Sequence, residues 1–134
     1  MTRDQEVRLR LFSDNELLSE AERFAAEFNL PAAQISGLLA FSLGEWGELE
    51  KFVSHQADRK WLDVRGAEHP TKTFYKEMKK KLTWLREQTV AWGFVPDGLS
   101  RNETRDQTYK AAIRVAQEFI QHLSAQLLFQ KGGR

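Results

Sequence analysis

Apolar residues return every three or four positions through four long stretches of this chain, and no stretch shows the strict alternation of a half-buried strand. That period puts the apolar side chains on one face of a helix. The expected fold is therefore all-α: residues 1–134 as a single domain, a four- to five-helix bundle with one core. The first helix is predicted from about Asp14 to Phe28, turning Leu17, Leu18, Ala21, Phe24, Ala25 and Phe28 inward, with Ser13 and Glu16 as its capping box. Residues 1–12 read as an N-terminal arm or short helix.

Pro31 suits a first helical turn, so a second helix is predicted from there to about Phe52 or His55, burying Ile35, Leu38, Leu39, Ser42, Trp46, Leu49 and Val53. Gly37, Gly44 and Gly47 lie inside it, and each costs about 1 kcal/mol of helix propensity against alanine. They predict either close approach of another backbone or a kink or break near Gly44. Residues 56–70 read as a polar connection whose Trp61 and Leu62 plug the core from outside. A third helix is predicted over about Thr73–Trp92, with Phe74, Met78, Leu82, Leu85 and Trp92 inward. The last, about Glu103–Gln130, is capped by Ser100 and Glu103 and buries Tyr109, Ala112, Ile113, Ala116, Ile120, Leu123 and Leu127, leaving 131–134 as a flexible tail.

Hydrophobic residues at 41% and charged residues at 29% suit a folding chain, not a disordered one. The absence of cysteine excludes disulfides, thiolate metal sites and a cysteine nucleophile, and makes a reducing cytoplasm the expected compartment. No apolar run approaches the roughly 18 residues of a membrane span, so no membrane partner is expected. The net charge of +1 conceals a split. Residues 1–50 hold ten Asp/Glu against four Lys/Arg, and residues 51–134 hold nine against sixteen. The split predicts an anionic partner for the basic part, contacts between copies or neighbours, or a meeting of the two parts within the fold.

The three histidines, His55, His69 and His122, lie too far apart in sequence for a metal-binding pair on one helix, and no phosphate-binding loop or nucleophile elbow is present. No catalytic residue and no cofactor is expected. The one acidic motif, Glu45-Trp46-Gly47-Glu48, spaces two carboxylates for an oxygen-ligand metal site on a helix. It resembles the paired-glutamate element of the all-helical MazG-type nucleotide pyrophosphohydrolases. That likeness implies a Mg²⁺ held by Glu45, Glu48 and a later acidic pair. Here Glu77 keeps one carboxylate of that pair and Lys80 stands where the family's aspartate belongs.

The third helix carries a basic ridge. At about 100° per residue, Lys72, Lys76, Lys79 and Arg86 fall within a quarter of its circumference, opposite Phe74, Met78 and Leu85, with Lys80 and Lys81 beside them. Lysines a turn apart can each meet a phosphate, so Lys72, Lys76, Lys79, Lys80 and Arg86 are the expected nucleic-acid contacts. Lys110 and Arg114 repeat the spacing on the last helix as secondary contacts. The alternative is a docking patch for another protein around Trp46, Trp61 or Trp92.

Leu30-Pro31, Gly37-Leu38-Leu39, Phe41, Trp84-Leu85-Arg86, and then Tyr109-Lys110, Ala112, Ala116, Phe119-Ile120 and Leu123 resemble the small all-helical subunit of type III CRISPR RNA-guided effector complexes. The likeness spans residues 30–125 and departs at His122-Leu123-Ser124-Ala125, where that family has a tryptophan and a basic pair. It implies a non-catalytic subunit that binds RNA or single-stranded nucleic acid and packs on other subunits, including copies of itself.

Overall fold

A computed structural model describes residues 1–132 as helices α1 (Arg3–Phe12), α2 (Leu18–Glu27), α3 (Ala32–Ser42), α4 (Trp46–Asp58), α5 (Pro70–Ala91) and α6 (Arg101–Gly132). A π-helical turn, Ser13–Leu17, joins α1 to α2 without a break. No strand occurs among the described residues, so the all-α expectation holds. None of these helices is long and apolar enough to cross a membrane. Of the predicted tail, 131–134, Lys131 and Gly132 belong to α6, and residues 133–134 lie outside the described residues.

The first helix begins earlier than Ser13. Its capping box is Thr2 with Gln5: the Gln5 N–H donates to Thr2 Oγ1 at 3.2 Å, and the Thr2 N–H donates to Gln5 Oε1 at 2.9 Å. Ser13 caps nothing. It is 3% exposed, with its hydroxyl 2.8 Å from His122 Nε2 on α6 and donating to Glu118 Oε2 at 3.4 Å. The wide π turn keeps both Ser13 and Leu17 buried against α6 while Asp14, Asn15 and Glu16 stay outside.

The predicted second helix is two helices. The chain breaks after Ser42, the Gly44 N–H turning back to the Phe41 carbonyl at 3.2 Å, and Glu45 is extended as it enters α4. The three glycines do not admit another helix's backbone. A Cβ at Gly37 would reach only the Phe52 ring at 3.5 Å, and one at Gly47 would meet nothing within 4 Å.

α6 is the centre of the bundle and packs on α2, α3, α4, α5 and the π turn. Ala111, Ala112, Val115 and Ala116 are buried together with Phe119, Ile120, Leu123 and Leu127, which is more than one stripe, as a helix enclosed on several sides requires. The alanines leave room for neighbouring helices to approach. Tyr109 is 36% exposed, and Thr108 faces inward in its place. Leu39 and Trp92 are half-buried at the edge of the core.

Of the three tryptophans expected around a docking patch, Trp46 is hidden in the core and the other two are half-buried. Trp46 is 2% exposed, Trp92 stacks on Phe12 with ring centroids 4.5 Å apart, and Trp61 is half-buried. Leu62 is no plug, since it stands 88% in solvent.

Candidate nucleic-acid interface

α5 starts where the sequence provides both signals of an N-terminus. Pro70 occupies the first turn, and His69 Nδ1 accepts the Thr71 N–H at 3.1 Å. From there the period fixes its two faces. Phe74, Tyr75, Met78, Leu82 and Leu85 are buried, while Lys76, Lys79, Lys80 and Thr83 are exposed and Lys72 is half-buried.

Lys72, Lys76, Lys79, Lys80 and Thr83 form one wall of an open groove of about 640 Å³, closed on the other side by Ala57 and Asp58 at the end of α4. Two of the ammonium groups have local partners: Lys76 Nζ lies 2.8 Å from Glu68 Oε2, and Lys80 Nζ lies 3.1 Å from Glu77 Oε1. Such exposed pairs are worth about 0–1 kcal/mol, so a phosphate can exchange with either carboxylate. Among the described residues Lys72 and Lys79 form no salt bridge. Glu68 is held below the ordinary carboxylate range by the hydrogen bond from Lys76, then by that from Thr73, with the charge of Lys72 adding to both.

The other predicted contacts lie elsewhere. Arg86 lies 3.6 Å from Glu50 of α4 and does not line the groove. Arg114 turns to α1, where it bonds Glu6 at 3.0 Å, and Lys110 stands exposed on α6 away from the lysine wall. Lys81, beside the ridge in sequence, points into the α2–α5 cleft, bonding Glu20 at 2.9 Å with its ammonium over the Trp84 ring. The pairs Lys81–Glu20, Arg86–Glu50 and Arg114–Glu6 each join the acidic part, 1–50, to the basic part, 51–134. The charge split is thus partly resolved inside the fold, while the lysine groove faces outward.

The acidic motif does not gather. Glu45 precedes the first turn of α4 in extended conformation, so the chain break separates it from the helical spacing that would align it with Glu48. Glu77 lines the α2–α5 cleft and pairs with Lys80. Among the described residues no group of three or more His, Asp or Glu side chains is placed to hold a metal ion.

The loop between α4 and α5 reads from the sequence only as a polar connection, yet it is ordered. Its base is fixed: Trp61 Nε1 donates to the Gln56 carbonyl at 2.9 Å, and the Arg59 guanidinium lies 4.8 Å from the Trp61 ring centroid. Its tip is a two-residue turn at Arg65-Gly66, closed by bonds in both directions between the Val64 and Ala67 backbones at 2.9 and 3.0 Å. A β-branched residue before a residue-glycine pair was the signal for this turn.

Comparison with known protein families, with curated proteins and with solved structures gives no match to this chain.

Proposed function

We propose that the protein is a non-catalytic structural subunit that holds nucleic acid, RNA in the first instance, by its phosphates. The observation carrying this reading is that Lys72, Lys76, Lys79 and Lys80 share one wall of an open groove. Lysines contribute point charges without reading bases, so the expected binding is sequence-tolerant and strongly salt-dependent. The resemblance in residues 30–125 to the CRISPR small subunit supports a place in a cytoplasmic ribonucleoprotein beside other subunits or copies of the same chain.

The test is affinity for a labelled RNA oligonucleotide measured across a salt series. Lys76→Glu, Lys79→Glu and Lys80→Glu together should weaken binding at least about tenfold and reduce the log–log salt slope by about two. Unchanged affinity and slope in that triple variant, with helicity intact, would remove the reading.

A further inference from the structure

Arg65 is the only non-glycine residue with positive φ among the described residues, at 53°, followed by Gly66 at 77°. A left-handed conformation costs a residue with a Cβ about 1–2 kcal/mol, and two-residue turns of this hand are met most readily by Asn-Gly or Asp-Gly. Arginine gains the turn nothing in return. Among the described residues its guanidinium makes no salt bridge. What the position does provide is presentation. The turn is closed by its own backbone bonds, and the loop behind it is pinned by Trp61 and by Glu68, whose carboxylate accepts from Thr73 Oγ1 and Lys76 Nζ, each at 2.8 Å. A side chain on such a support loses little further freedom when it binds.

The same Glu68–Lys76 pair ties the loop to the lysine wall, so the loop and the groove adjoin. Leu62, the most exposed large apolar side chain among the described residues, belongs to this loop, and Val64, at the turn itself, is 45% exposed. We infer that the Arg65-Gly66 turn is a second, preformed contact for the partner of the lysine groove, and that this partner is a base-paired double helix. Arg65 and Leu62 meet the minor groove while the lysines hold the flanking phosphates. This rests on the phosphate-binding reading and narrows it.

Two features favour the double helix over a single strand. Single-strand binders combine a basic groove with aromatic platforms on which bases stack, and no aromatic side chain lines this groove. The nearest candidate, Trp61, already carries Arg59 over its ring and has His69 at 5.1 Å. An arginine beside an exposed aliphatic residue instead suits a minor groove, wide and shallow in RNA or opened by an apolar wedge in DNA.

The experiment measures binding of the full chain to a labelled RNA duplex, to the matching DNA duplex and to one unpaired strand, each of about 16 nucleotides per strand. Either duplex should bind more tightly than the single strand. Arg65→Asn supplies the residue the turn prefers, so the melting temperature should hold or rise while duplex affinity falls about three- to tenfold. Leu62→Ala should weaken duplex binding without lowering the melting temperature, because the side chain is in solvent. Equal or better binding of the single strand, or unchanged duplex affinity in Arg65→Asn, overturns the inference and leaves the lysine groove standing. No binding of any of the three nucleic acids removes both.

Discussion

α5 and α6 are the two longest helices, of 22 and 32 residues, and both carry basic side chains, but it is the lysines of α5 that line a shared groove. α5 lies at the edge of the bundle and buries one face, so its lysines share an open groove. α6 is enclosed by four helices and the π turn, and its Arg114 is drawn into the fold, bonded to Glu6 with its Nε buried and unpaired. A helix at the centre spends its polar residues on its neighbours. One at the edge keeps a face for other molecules.

This contrast can be broken most directly at Phe119 of α6, which is fully buried with its ring edge-on to Phe24. Phe119→Ala should lower unfolding stability by about 3–5 kcal/mol in urea titration, against little change for the lysine-to-glutamate triple variant of α5. A comparable loss in both would show that α5 is no less central than α6. The buried face of α5 gives the next effect. Burial pushes the Tyr75 phenol up to about 12, and its hydroxyl donates to Gln34 Oε1 at 3.0 Å. A phenol kept neutral by the fold leaves stability intact below its free value of about 10 and withdraws it as pH rises from there towards 12. Alkaline melting curves should show that decline, and Tyr75→Phe should lessen it. The smallest effect belongs to the π turn: Ser13→Ala should cost about 1 kcal/mol in urea titration by leaving His122 without its hydroxyl partner, with nucleic-acid affinity unchanged.

The sequence made α5 legible because one face is mostly apolar and the other rich in lysine, so its helical period is plain. It was less informative wherever a residue type serves two roles. Ser13 followed by Glu16 has the composition of a helix start, but Thr2 and Gln5 had already begun the helix, and burial against His122 and Glu118 took the serine inward. Tyr109 fits the stripe of α6 by period, although a helix buried on several sides has no single stripe to fit. Arg86 and Arg114 were indistinguishable from the groove lysines until Glu50 and Glu6, distant in sequence, were brought beside them. Arg65 gave no charge pattern at all, since its significance lies in a backbone angle.

The central place of α6 also governs how the chain can come into being. It is the last of the six helices to leave the ribosome; α2, α3, α4 and α5 pack on it, and α1 is tied to it through Glu6 and Arg114. At about 5–20 residues per second its 32 residues take roughly two to six seconds to synthesise. Through that interval the earlier helices can pack on one another, as α4 does on α5, but the faces that α6 covers stay open. Core closure is therefore a late event of biosynthesis.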